Sequence, residues 1–307
     1  LVLITKYIRS FLINMELIIE HTTKYEYKNP VAGLIQTTKL HPSEYNGLKI
    51  LEWNVHNDSA KKSKIYQDGE ANNIQSFTNT NKVKKIQFTV LGKVETFDTK
   101  GIYQSVSDKI DPLVYLRESN LTKANADIKN LAIEAKNGFN ENENLETSHN
   151  LMNLVAEKIE YKPLTTNNQT TAIEAFNQKK GVCQDQAHIM IAAAKTLGIP
   201  ARYVNGYMHN NSHSSEFQST HAWAEFYIND LGWVGFDPTN KCSPDERYVR
   251  VSCGLDASYA SPIKGVFYGN INNDAVIENL DIHVQTLENN SQPVSYTHLR
   301  AHETLRY

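Results

Sequence analysis

The segments Gly181-Val182-Cys183-Gln184-Asp185, His221-Ala222-Trp223 and Asp237-Pro238-Thr239 decide how this chain reads. In that order they offer a thiol, an imidazole and a carboxylate. A thiol nucleophile needs this company: a base that holds the thiolate, and an acid that orients the base and stabilises its charge. Fewer than 60 positions separate the first from the last, so one compact domain can bring them together.

Around Cys183 the local signals are helical. Thr171-Ala172-Ile173-Glu174 has the Thr-x-x-Glu form of a capping box and predicts a short helix ending near Gln178, broken by Lys179-Lys180-Gly181. Beyond the cysteine, Ala187, Met190, Ile191, Ala194 and Leu197 recur at helical spacing until Gly198-Ile199-Pro200 stops the run. Cys183 is therefore expected on the first turn of a buried helix. Unpaired backbone N–H groups and the positive end of the helix dipole favour an anion there, and the same N–H groups can help hold a developing oxyanion. His221 and Asp237 fall in a hairpin pattern. His221, Trp223, Glu225 and Tyr227 alternate with Ala222, Ala224, Phe226 and Ile228; Asn229-Asp230-Leu231-Gly232 reads as a turn, and Trp233 to Asp237 as the return strand closed by Pro238. Such a hairpin puts His221 and Asp237 at one open end, within a residue or two of cross-strand register.

Each residue has a plainer reading when taken alone. A cysteine before an Ala-rich helix is often a small buried hydrophobe, a His starting a strand is often structural, and an Asp before Pro is often a turn residue. Three such coincidences in a working arrangement favour a catalytic site. Its neighbours need the same weighing. Asp185 reads first as a helix cap or loop anchor, and His188 as a satisfied core histidine with site support as the alternative. Trp223 suits a cleft wall or the core equally. Gln178 and Gln184 are oxyanion donors by chemistry, in positions the sequence leaves open, and Arg202 and Tyr207 have no assigned role.

Gly-Val-Cys-Gln-Asp-x-Ala-His from Gly181, Leu-Gly-Ile-Pro-Ala-Arg from Leu197, His-Ala-Trp-Ala-Glu from His221 and Gly-Trp-x-Gly-Phe-Asp-Pro-Thr-Asn from Gly232 resemble the core of the transglutaminase-like superfamily. The resemblance runs from about Asp111 to Gly269 and is closest to a bacterial branch whose members are described as cysteine proteases. It implies Cys183 as nucleophile, His221 as general base and acid, and Asp237 as orienting carboxylate, in a papain-like α+β fold with helices packed on an antiparallel sheet. The N-terminal part resembles the β-rich domain that precedes this core in the bacterial branch. The Asn/Ser/His-rich segment between Tyr207 and Thr220 departs from an ordinary substrate-side loop.

Length and composition agree. A chain of 307 residues suggests two domains, and 40% hydrophobic content supports ordinary cores. Met15 to Phe97 holds alternating segments (Glu16 to Tyr27, Ile50 to His56, Val83 to Val94) separated by turn-rich stretches at His56 to Ser63 and Gln67 to Asn73, which reads as a β-sandwich. The expected organisation is this N-terminal β-rich domain over 15–97, a linker over 98–111 and a catalytic domain over 112–290, with helices at about Lys123 to Lys136 and Glu146 to Ile159. Both ends are expected to stand outside the native fold: Leu1 to Ile13 carries Lys6 and Arg9 in its apolar run, and Val294 to Tyr307 lacks core periodicity and resembles translated adapter sequence.

A net charge of −3 gives no reason to expect nucleic acid or an acidic membrane surface as partner. Three cysteines make no disulfide framework, so Cys242 and Cys253 read as free or buried thiols and the chain as cytoplasmic. No metal or cofactor is expected. Animal members of the superfamily depend on calcium, whereas no Asp-x-Asp-x-Asp-Gly loop occurs here, and the run Glu141 to Glu146 reads as a solvated loop. The expected chemistry is acyl transfer from a peptide or protein amide through a thioester on Cys183, resolved by water. Resolution by an amine, which would make a protein-glutamine transglutaminase, is the alternative, and a non-catalytic peptide-binding scaffold is a third reading.

Overall fold

The computed structural model describes residues 14–140, 142–210, 220–268 and 275–286. The N-terminal part is organised by β1 (Asn14–His41), a strand of 28 residues. Leu17, Ile19, His21, Thr23, Tyr25 and Tyr27 are buried while the residues between them are more exposed, the period of 2 that a pleated strand imposes. The first half of β1 pairs with β6 (Val83–Phe97) and β15 (Ala275–Thr286), the second with β5 (Asn73–Asn79) and β14 (Ile263–Tyr268), all antiparallel. The change of partners falls at the exposed Lys28-Asn29-Pro30, where the pairing with β6 shifts register between Glu26 and Val31. β2 (Leu48–His56) extends the sheet beyond β6, and β3 (Lys61–Lys62), inside a stretch that reads as a turn, and β4 (Tyr66–Gln67) attach to β5. Tyr25, Tyr27, Leu34, Val55, Phe77, Phe88 and Ile263 share one core between the two halves. The expected sandwich is thus one antiparallel sheet folded across β1.

The second part contains a 3-10 turn at Pro112–Leu116, α1 (Ala126–Lys136), α2 (Asn144–Lys158), β8 (Glu160–Tyr161), α3 (Ala172–Gln178), β9 (Lys180–Gly181), α4 (Cys183–Thr196), β10 (Ala201–Met208), β11 (His221–Ile228), β12 (Gly232–Phe236) and β13 (Tyr248–Gly254). Its antiparallel sheet has the order β13-β10-β11-β12-β7, where β7 is Ile102–Tyr103. The helix expected from about Lys123 starts at Ala126, because Asn125 caps it by accepting from the Ile128 N–H at 3.0 Å. The α3 capping box forms as expected between Thr171 and Glu174. α4 is buried as the sequence leads one to expect: Ala187 to Ala194 are all buried, as in a helix enclosed on every side. It packs α1–α3 on one flank and Ala222, Ala224, Phe226 and Ile228 of β11 on the other. Burying Ile189, Met190 and Ile191 contributes about 1.5–3 kcal/mol each.

Two segments sit differently from the expected boundaries. The 98–111 stretch, expected as a linker, is docked: β7 extends the second sheet, and Asp108 pairs with the buried Arg202. Ile263–Tyr268 and Ala275–Thr286, expected within the 112–290 domain, pair with β1 instead. Ile263, Ile282 and Val284 fill N-terminal cores, and β1 would otherwise present an unpaired edge along its length. The two parts also share a packed interface. Leu17, Ile19 and Val94 meet Tyr207, Val249 and Val251, and His21 Nδ1 is 2.8 Å from the Tyr207 hydroxyl. The Asn72 side chain pairs with both backbone groups of Cys253, at 2.7 and 3.1 Å. The β-rich part thereby braces β13 from behind. The terminal segments 1–13 and 287–307 lie outside the described residues, as does 211–219 of the Asn/Ser/His-rich loop.

Candidate active site

Cys183 opens α4 and is half-buried. Its turn is built by its neighbours. Asp185 reaches back to accept from the Val182 N–H at 2.8 Å and from Thr166 Oγ1 at 2.6 Å. A Cβ at Gly181 would lie 2.7 Å from the Asp185 Cβ, so the close approach needs glycine. Burial raises Asp185 above the usual carboxylate range, against the pull of these donors. Its geometry is that of a cap and loop anchor.

His221 begins β11 and Asp237 ends β12. The register pairs Ala224 with Phe236, which leaves Asp237 two positions out of line with His221, as the hairpin reading expected. His221 Nε2 and Asp237 Oδ2 are 2.6 Å apart. The Cys183 side chain also acts on the imidazole, raising it after Asp237. With Nε2 committed to Asp237, Nδ1 is the nitrogen left for sulfur. Asp237 Oδ2 further accepts from the Tyr248 hydroxyl and from Asn240 Nδ2, both at 2.7 Å, and Oδ1 accepts from the Thr239 N–H at 2.9 Å. Burial alone would lower His221, but the Asp237 charge and hydrogen bond, followed by Cys183, hold it well above its ordinary value. Burial would raise Asp237, but His221, Asn240 and Tyr248 hold it below the usual carboxylate range. The geometry therefore favours an imidazolium beside an ionised carboxylate, the arrangement that stabilises a thiolate.

Of the remaining sequence candidates, Trp223 is fully buried and stacks behind the imidazole at 6.2 Å between ring centroids, a core position that fixes the histidine from the rear. Gly206 makes room for it: a Cβ there would lie 2.7 Å from the indole. His188 is a core residue. Its Nε2 accepts from the Ala257 N–H at 3.1 Å, and burial lowers it to about 4, so it stays neutral. Gln178 is exposed at the end of α3, and Gln184 is half-buried on the first turn of α4. Cys242 and Cys253 are free thiols, both raised by burial.

Several contributors were missed in the sequence. Gln186 is buried and joins three elements: Nε2 donates to Ile159 O at 3.0 Å, and Oε1 accepts from Thr239 Oγ1 at 2.7 Å. Cys183's helix is thereby tied to Asp237's turn. Asn240 and Gln186 lay inside the quoted motifs and could have been found there. Tyr248 and Tyr161 carried no such signal. Tyr161 comes to the site because β8 pairs in parallel with β9, setting it opposite Gly181. It is 38% exposed, and burial followed by the Cys183, Asp237 and Asp185 charges raises its phenol, which remains a proton donor at neutral pH. Behind the site, on the sheet face away from α4, Glu225 accepts from Arg202 Nε at 2.7 Å and from Arg250 Nε at 2.6 Å, all three fully buried. Among the described residues no group of three or more His, Cys, Asp or Glu side chains is placed to hold a metal ion, and no helix is long and apolar enough to cross a membrane.

Comparison with known proteins agrees with this architecture. Residues 133–238 match the family profile of the transglutaminase-like superfamily, and residues 17–95 that of the bacterial transglutaminase-like N-terminal region. A crystal structure from Cytophaga hutchinsonii, provisionally described as a cysteine protease, superposes with a TM-score of 0.70 at 21% identity, covering 93% of this chain and 96% of that one. The chain is 35% identical over 116 residues to an uncharacterised protein of Mycobacterium leprae, a match covering 36% of this chain and 41% of that protein. It is 30% identical over 92 residues to a protein-glutamine gamma-glutamyltransferase of Pseudomonas aeruginosa, covering 28% of this chain and 13% of that protein. The matches to the first mycobacterial relatives, from M. leprae and M. bovis, thus span about two fifths of their length. With a core profile that contains Cys183, His221 and Asp237 and an N-terminal profile ahead of it, together spanning more than half of its length, the chain belongs to the transglutaminase-like superfamily, in its bacterial branch.

Proposed function

We propose that the protein is a thiol-dependent acyl-transfer enzyme acting on peptide or protein amides, most simply a cysteine peptidase or amidase. The observation that carries this reading is the buried 2.6 Å His221–Asp237 pair, with Cys183 at the start of a buried helix acting on the same imidazole. Cys183 sulfur attacks the amide carbonyl carbon, and the electron pair moves onto the oxygen. The backbone N–H groups at the start of α4 would hold that oxygen, with the Tyr161 phenol as a further donor. Collapse of the adduct breaks the C–N bond as His221 passes its proton to the departing amine, leaving a thioester. His221, now neutral, takes a proton from water, which attacks the thioester and releases the acid.

The same thioester can pass to an amine, and the Pseudomonas relative's name gives that second reading its support. Hydrolysis is favoured because Tyr161 and the Asn240 side chain leave the described rim of the site open and polar, and excluding water needs walls or lids. The test uses the purified chain, a glutamine-containing peptide library and a labelled primary amine. Release of acid or ammonia with little amine incorporation, abolished in Cys183→Ala, is the expected result. Efficient amine incorporation with hydrolysis a minor product would make it a transferase. Unchanged turnover in Cys183→Ala would refute the thiol mechanism.

A further inference from the structure

Asp237 receives donors of two kinds. The Thr239 N–H and the Asn240 side chain belong to its own turn and fix the carboxylate only relative to that turn. Tyr248 belongs to a different strand, β13, and reaches Oδ2 at 2.7 Å, the same oxygen that meets His221. Its ring has little freedom. It is 1% exposed, lies edge-on to Trp223 at 5.5 Å and tilted to His221 at 5.9 Å, while the neighbouring Val249 and Val251 are buried against the N-terminal sheet. The direction of the bond is settled by chemistry. An ionised carboxylate can only accept, so the phenol hydrogen goes to Asp237, and the Cys242 thiol, 3.4 Å away, donates to the phenol oxygen. The other charged neighbour described is Arg247, whose guanidinium lies 5.8 Å from the ring.

We propose that Tyr248 is a positioning residue for the reacting groups: by donating to Oδ2 from a braced strand, it holds the Asp237 carboxylate on His221 Nε2 and so sustains the His221–Cys183 pair. The inference rests on the thiol mechanism above and names the residue that sets its geometry. Burial, then the Asp237 charge, pushes the phenol far above its ordinary range, so it remains a donor wherever the enzyme is folded.

The test needs no substrate. Iodoacetamide alkylation of Cys183 is followed against pH by mass spectrometry in the wild type, Tyr248→Phe, Asp237→Asn, the double variant and Cys242→Ala. With one donor fewer, Asp237 is protonated more readily and the imidazolium loses its support at low pH. The labelling profile of Tyr248→Phe should therefore rise at higher pH, with alkylation about tenfold slower on the acid limb, the scale of one hydrogen bond to a charged group. In the Asp237→Asn background the same change should add nothing, since its effect passes through the carboxylate. Cys242→Ala should label like the wild type. A Tyr248→Phe profile that overlays the wild type, or an effect undiminished in the Asp237→Asn background, overturns the proposal. Should Tyr248→Phe fail to fold, 3-fluorotyrosine at position 248 keeps the shape and strengthens the donor. Its profile should then rise at lower pH, and an unmoved profile overturns the proposal. Wild-type Cys183 labelling no faster than Cys242 and Cys253 would instead remove the thiol mechanism itself, a result distinct from fast labelling that Tyr248 does not affect.

Discussion

Acidification from pH 6.5 towards 5 should destabilise the fold, with His21 supplying a defined share of the loss. The imidazole is buried at the junction of the two parts, with Nδ1 at 2.8 Å from the Tyr207 hydroxyl and Nε2 at 2.6 Å from Thr23 Oγ1. Burial lowers it from 6.5 to about 4. Below pH 6.5 the unfolded chain therefore takes up a proton that the folded protein refuses, so stability falls as pH falls, down to the folded value. Each pH unit costs about 1.4 kcal/mol per proton, which gives about 2 kcal/mol over the 1.5 units above pH 5 and about 3 kcal/mol by the folded value. His188 contributes in the same direction and is present in both proteins compared. His221, raised in the fold, acts with the opposite sign at higher pH: its contribution is complete below 6.5 and is lost as pH rises through its folded value. The assay is urea unfolding, followed by tryptophan fluorescence, of the wild type and His21→Gln across this range. The glutamine amide can still meet Tyr207 and Thr23 but does not titrate. Its stability should decline less steeply by one proton. Identical slopes between pH 6.5 and 5 would refute the claim that His21 stays neutral in the fold.

Asp237→Asn should leave a folded protein whose turnover falls by about 10⁴-fold, as when the matching carboxylate of a serine triad is neutralised, and steady-state kinetics will show it. Tyr161→Phe should reduce kcat by about 10²-fold, the scale of one oxyanion donor, with an unchanged melting temperature because the side chain is partly exposed. Glu225→Gln removes the charge shared by two buried guanidiniums and should cost about 3–5 kcal/mol in urea unfolding, the scale of an uncompensated buried charge.

The helix that opens at Cys183, the His221–Asp237 hairpin and the α+β class were legible in the chain because their causes are local. A capping box, a helical period ended by Gly-Ile-Pro, and a period-2 run closed by a turn each act over fewer than about ten residues. Cys183, His221 and Asp237 fell inside those signals. The alternation of β11 likewise separated its two faces, since the pleat imposes a period of 2, and the fold packs the Ala222, Ala224, Phe226 and Ile228 face on α4.

What tertiary structure alone decided involves long-range pairing. The composition of Ile263–Tyr268 and Ala275–Thr286 suits a strand in either part, and the choice was made by the open edge of β1, more than 200 residues away in sequence. Gln186 reads as one more helical residue until Thr239 and Ile159 are seen to meet its two ends. Arg202 has no role assigned in the sequence and Glu225 is only one position of an alternating strand face, but cross-strand register places them opposite each other and Arg250 completes the group, so that burial is tolerable. Tyr248 enters the site because the sheet order places β13 beside β10, and a side chain's partners across strands depend on which strands pair, information carried by no short segment.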